Sequence, residues 1–107
     1  MKRFEVFLVS LDPTRGAEMR KTRPCVVVSP DELNTRLNTV IVAPLTSTDK
    51  PYPFRPRLVF KRKAGFVALD HLRAVDKSRL IRKVGRLEPG TAKTVATTLV
   101  EMFALDK

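Results

Sequence analysis

Cys25-Val26-Val27-Val28-Ser29, followed after a short polar interval by Val40-Ile41-Val42-Ala43, is the stretch on which the fold turns. The first run is apolar through its centre, as expected of a strand with both faces covered. Between the two, Ser29-Pro30-Asp31-Glu32 reads as a helix start, with a capping serine, an early proline and acids in the first turn. Asn38-Thr39 closes that short helix and leads into the second strand. Working outward, Phe4 to Leu11 is rich in β-branched, aromatic and aliphatic residues and predicts a strand ahead of the first run. It stops at Asp12-Pro13-Thr14-Arg15-Gly16, where proline and glycine impose a turn, and a polar, basic loop continues to Arg23-Pro24. A loop of that length on rigid strands is a usual place for binding groups.

Beyond Ala43, Pro44 to Pro51 reads as a second polar loop. Arg57 to Phe60 and Phe66 to Leu69 read as a strand pair joined around Lys61–Gly65. A further pair is expected over Leu72–Val75 and Ile81–Gly85, with a short helical turn between. Pro89 and Thr91 open a C-terminal helix near 89–104, on which Val95, Leu99, Met102 and Phe103 share a face. Short strands about ten residues apart predict a mainly β fold, a small, partly open barrel of antiparallel strands with one packed helix. Residues 1–107 are expected to form one domain.

The 107 residues are 43% hydrophobic, enough for a core, and no apolar stretch is long enough to span a bilayer. Met1-Lys2-Arg3 is basic, but the next residues alternate and soon meet Asp12-Pro13, unlike a signal peptide. A cytoplasmic location is the expectation. One cysteine and one histidine leave no internal disulfide and no cysteine- or histidine-based metal cluster, and no metal or other cofactor is expected. Twenty-one Lys and Arg against eleven Asp and Glu give a net charge of +10. Such a field attracts polyanions: nucleic acid, an acidic protein or an anionic membrane. With no basic amphipathic helix, a membrane ranks last.

Two loops hold the side chains of chemical interest. Arg23 stands just before the buried strand, its backbone fixed and its guanidinium able to face outward, where planar paired donors suit a phosphate. Thr46 lies just past the strand 40–43, where a hydroxyl can donate to a phosphate oxygen. The plainer alternative makes Arg23 a surface ion-pairing group and Thr46 a turn residue. His71 is the one side chain whose ordinary pKa lies near neutrality, and it reads either as an acid/base group or as a structural histidine. Cys25, among valines, reads as a buried apolar residue rather than a nucleophile. Residues 50–63, from Lys50 onward, carry six Lys and Arg and no acid, the density of a surface that tracks a phosphate backbone or of a solvated hairpin face. Tyr52, Phe54 and Phe66 can stack on bases, although most of the three are expected in the core.

Leu11-Asp12-Pro13-Thr14-Arg15-Gly16-Ala17-Glu18 followed by Lys21-Thr22-Arg23-Pro24 resembles the first half of the MazF/PemK family of toxin endoribonucleases. Ala43-Pro44-Leu45-Thr46-Ser47 and the block from Asp70-His71-Leu72-Arg73 to Leu80 resemble its later segments, in order along nearly the whole chain. The resemblance implies an SH3-like barrel, a homodimer, an acidic antitoxin as partner, and metal-independent cutting of single-stranded mRNA. By position it makes Arg23 and Thr46 catalytic. It places Glu18 and the loop carrying Arg15 and Lys21 over the RNA, with Asp70 as an acidic contact. Many members carry glutamine where His71 stands, which bears on both the acid/base question and the recognised sequence. With no metal cluster to activate water, the nucleophile implied is the RNA's own 2′-hydroxyl. The rival readings are a CcdB-like toxin that inhibits DNA gyrase on the same fold, and a non-catalytic RNA-binding module.

Overall fold

A computed structural model describes residues 1–47 and 50–105. Thr48 and Asp49, part of the predicted loop 44–51, lie outside them. The chain runs β1 (Glu5–Ser10), β2 (Thr22–Val27), α1 (Asp31–Asn34), β3 (Thr39–Thr46), β4 (Arg57–Phe60), β5 (Lys63–Val67), β6 (Arg73–Asp76), β7 (Leu80–Arg86) and α2 (Pro89–Met102). Single 3₁₀ turns occupy Leu69–His71 and Lys77–Arg79. The strands pair antiparallel in the order β4-β5-β3-β2-β1-β7, with β6 beside β3. This is the expected mainly β architecture, a curled half-barrel with a C-terminal helix.

The apolar run at 25–28 has the predicted cause, because each face of β2 meets its own core. Val26 and Val28 join Val6, Ala43, Val67 and Leu69 beneath α2, which contributes Ala92 and Val95. Cys25 and Val27 point the other way, into a cluster with Val9, Leu11, Val40 and Val42 that Met19 of the long loop helps to cover. The curl carries the two edge strands toward each other. Phe60 of β4 lies so close to Gly85 of β7 that a Cβ there would sit 2.9 Å from the ring.

Several expectations need correction: Tyr52 and Phe54 are exposed and only Phe66 of the three aromatics is in the core, and Ser29 does not cap α1, which starts after Pro30. β2 begins at Thr22, so Arg23 lies within a strand and not ahead of one. β3 continues through Pro44 to Thr46, which makes Thr46 its last residue and not a loop residue. Pro44 fits because its missing N–H falls where the outer partner of β3 changes, from β6 (up to Val42) to β5 (from Leu45). β5 starts at Lys63, because Lys61 and Arg62 both take positive φ, 49° and 67°, and close a two-residue hairpin. β6 and β7 exist but do not pair with each other: β6 lies against β3 and β7 against β1. On α2, Ala92 and Val95 are buried with Leu99 and Met102 against them, while Phe103 is 68% exposed.

Candidate active site

Register brings the two leading candidates together. Cys25 faces Pro44 across the β2–β3 pair, and continuing that register by two residues sets Arg23 opposite Thr46. Directly opposed residues of antiparallel strands share a face. Both line one groove of about 220 Å³, together with Phe60, Lys63 and Gly65 among others. Arg23 is half-buried as a residue, and its Nε–H donates to the Arg20 carbonyl at 3.2 Å in an exposed position. That bond orients the head group and leaves its paired Nη donors for a ligand. Thr46 is held by its pairing with Phe66 and by the close approach of Gly65. A Cβ at residue 65 would collide with the Thr46 carbonyl oxygen, so only glycine allows this packing.

A second groove, about 540 Å³, collects Glu18, Asp70, His71 and Arg73. Glu18 accepts from the Arg15 amide and closes a tight turn in the loop. Asp70 is bound by both oxygens to Arg55, at 2.8 Å each, and Arg55 in turn lies 4.8 Å from the Tyr52 ring centroid. The Arg55 hydrogen bonds hold the Asp70 carboxyl below the usual range, against the opposing pull of burial. His71 Nε2 stands 3.6 Å from Asp70 Oδ2 and outside the Arg23/Thr46 groove. The structure therefore divides the sequence candidates: Arg23 and Thr46 share one groove; Glu18, Asp70 and His71 share the other. Arg15, Lys21 and Lys50 are exposed and line neither.

If the Arg23/Thr46 groove is where RNA is cut, as the family resemblance implies, His71→Gln is expected to retain most of that activity, since His71 lines the other groove and not that one. Single-turnover rates on both proteins check this. A loss of about a hundredfold or more with RNA binding intact would make His71 an acid/base group after all.

Sequence reasoning assigned no role to two further arginines. Arg73 donates to the Leu11 carbonyl at 3.1 Å, and Arg79 donates to the carbonyls of Ser10 and Asp12. Together they fasten the base of the 12–21 loop to β6 and the following turn. Both fall in the Asp70–Leu80 block, but no local spacing marks a side chain that bonds a backbone about 60 residues away. Cys25 is fully buried, and burial pushes its thiol up to about 12, with the nearby Arg23 and Arg73 pulling the other way. It is a core residue. Among the described residues no three His, Cys, Asp or Glu side chains gather as a metal site would require, and no helix is long and apolar enough to cross a membrane.

Residues 2–103 match the family described as PemK-like, MazF-like toxin of type II toxin–antitoxin system. The chain is 38% identical over 98 residues to endoribonuclease MazF9 of Mycobacterium tuberculosis, covering 81% of this chain and 82% of that one. Its fold is similar to the crystal structure of MazF from Deinococcus radiodurans, with a TM-score of 0.84 at 25% identity over 98% and 97% of the two chains. It is also similar, with a TM-score of 0.82 at 22% identity over 98% and 96% of the chains, to a mycobacterial endoribonuclease solved with its cognate antitoxin. The second of these likenesses speaks for the fold alone.

Proposed function

We propose, from the premise that this chain belongs to the PemK-like, MazF-like family of toxins of type II toxin–antitoxin systems, that the Arg23/Thr46 groove cleaves single-stranded mRNA at short sequences without a metal. The chain is an endoribonuclease and its counterpart is an antitoxin. The observation that carries the mechanism is that Arg23 and Thr46 line one groove together with Lys63.

The chemistry rests on what that pair can do. The 2′-hydroxyl beside the scissile phosphate gives up its proton to solvent and attacks phosphorus, the P–O5′ bond breaks, the departing oxygen takes up a proton, and the products are a 2′,3′-cyclic phosphate and a free 5′-hydroxyl. Negative charge grows on the non-bridging oxygens during this step. Arg23 meets it with paired donors whose Nε anchor is already satisfied, so little reorganisation is needed at the moment of reaction. Thr46 adds a hydroxyl at the same phosphate. Arginine, with a pKa above about 12, is a poor base and serves by charge and by proton donation toward the departing oxygen. Glu18, Asp70 and His71 then read as contacts for flanking nucleotides, and Arg15, Lys21 and Lys50 as exposed cations that attract the strand. On this reading the protein works in the cytoplasm, where mRNA is found, and forms the homodimer that the family resemblance implies; its net charge of +10 suits an acidic antitoxin.

Incubating a long RNA with the protein, with and without EDTA, and mapping the ends tests this. The expected result is the same cuts in both, each leaving a cyclic phosphate upstream. Activity lost in EDTA and restored by a divalent ion would overturn the mechanism. Uncut RNA with inhibited DNA gyrase would instead favour the gyrase-binding reading.

A further inference from the structure

The row that joins Arg23 to Thr46 does not end there. Thr46 faces Phe66 on β5, and Phe66 faces Arg57 on β4, so Arg23, Thr46, Phe66 and Arg57 occupy successive strands at one register level. Strands lie about 4.8 Å apart, which puts Arg57 roughly 14 Å along the sheet from Arg23. A groove of about 460 Å³ opens at that end, bounded by Ser47, Arg57, Val59, Ala64 and Phe66. It shares Ser47, Leu58, Ala64 and Gly65 with the Arg23/Thr46 groove, so the two are continuous.

The chemistry of this second groove is distinctive. The Arg57 guanidinium carbon lies 5.8 Å from the centroid of the Phe66 ring, a cation–π contact that supports one face and leaves the side chain exposed. Val59, next along the same face of β4, is 72% exposed on a short edge strand. Lys61, Arg62 and Lys63 crowd the hairpin tip, and no Asp or Glu occurs between residues 50 and 69. Among the described residues none of Arg57, Lys61, Arg62 and Lys63 has a carboxylate partner. A supported guanidinium plane beside an aliphatic side chain suits a nucleobase, and the surrounding cations suit the phosphate attached to it.

We propose that the β4–β5 hairpin holds a nucleotide subsite, in which a base of the RNA strand leaving the Arg23/Thr46 groove stacks on Arg57 against Val59. This rests on the reading of that groove as the RNA-cleaving site. Its test separates the two. Affinity is measured for single-stranded RNA oligonucleotides carrying a 2′-deoxynucleotide at the mapped cut and lengthened by one nucleotide at a time on each side. If no cut is found, unmodified oligonucleotides of the same lengths are used.

The wild-type protein should tighten by about tenfold at the length at which the strand reaches the hairpin. Arg57→Ala and Val59→Glu should each lose that step, whereas Arg36→Ala, which removes an exposed cation after α1, should keep it. Both altered positions are exposed, so melting temperatures should stay at the wild-type value. A length step that survives in both hairpin variants, or that vanishes equally in Arg36→Ala, would overturn the subsite. An absent cut with the step present would leave the subsite standing and refute the cleavage reading instead.

Discussion

Arg23→Ala should melt like the wild-type protein and yet lose about 10²–10³ in single-turnover cleavage, the usual effect of deleting one transition-state donor. The fold gives two reasons to expect the separation. Arg23 lies near the start of β2, paired through its backbone with Val9, and substitution leaves that ladder in place. Its side chain makes one internal hydrogen bond, to the Arg20 carbonyl, and that bond is exposed, so water replaces it at little cost. Neighbouring Cys25, packed with Val9 and Val27, is untouched. A merely structural arginine would behave otherwise, lowering the melting temperature and reducing activity only as far as the protein unfolds. The measurement is a thermal melt and a cleavage time course on one preparation. A mutant that melts and cuts like wild type would remove Arg23 from the mechanism. Expression adds a second reading: the wild-type protein should arrest growth and Arg23→Ala should not. Arrest by the mutant with RNA uncut would point to the gyrase-type alternative.

What made the fold readable is the burial of both faces of β2. Cys25 to Val28 had to be apolar without alternation, because α2 covers one side and the Met19 loop covers the other. The segments that misled share a different property, since their strand character depends on partners distant in sequence. Pro44 and Thr46 look like loop residues until β5 arrives to pair with Leu45 and Thr46. Lys61-Arg62 carries none of the Asn-Gly signature of a two-residue hairpin, although both residues take the left-handed conformation that such a turn requires. β6 and β7 are neighbours in sequence and would pair by proximity alone. The turn at Lys77–Arg79 sends them to opposite parts of the sheet.

The candidate site divides along the same line. Arg23 and Thr46 were identifiable from their residue types and from the resemblance, but their opposition across β2 and β3 required the extended strands. The separation of His71 from that groove was not legible, because His71 follows Asp70 in a 3₁₀ turn anchored by the buried Leu69 and by the bond from the Ala68 amide to the Pro44 carbonyl. Arg55 sits in the basic segment that reads only as charge. Its role emerges when both of its donors are seen to engage one carboxylate, with the Tyr52 ring beside it.

The substrate offers the sharpest test of the proposed step. If the nucleophile is the 2′-hydroxyl, an oligonucleotide of RNA with one 2′-deoxynucleotide immediately upstream of the mapped cut should resist cleavage entirely. It should bind as tightly as the unmodified strand, because affinity comes chiefly from phosphate contacts and stacking, which the change leaves intact. The same substitution one nucleotide further away should leave cleavage near the wild-type rate, which excludes a general effect of the sugar. The expected loss exceeds that of any single side-chain deletion, because it removes a reactant, whereas Arg23→Ala removes one stabilising group from a pathway that still exists. The distinction also separates two chemistries on one groove. A protein that activates water would cut the modified strand and leave a linear phosphate, since water does not depend on the neighbouring hydroxyl. With Arg23 and Lys63 offering donors, and no carboxylate or imidazole among its described lining residues, the groove suits the stabilisation of an internal attack better than the activation of an external one. Cleavage of the modified strand at an undiminished rate would refute that assignment.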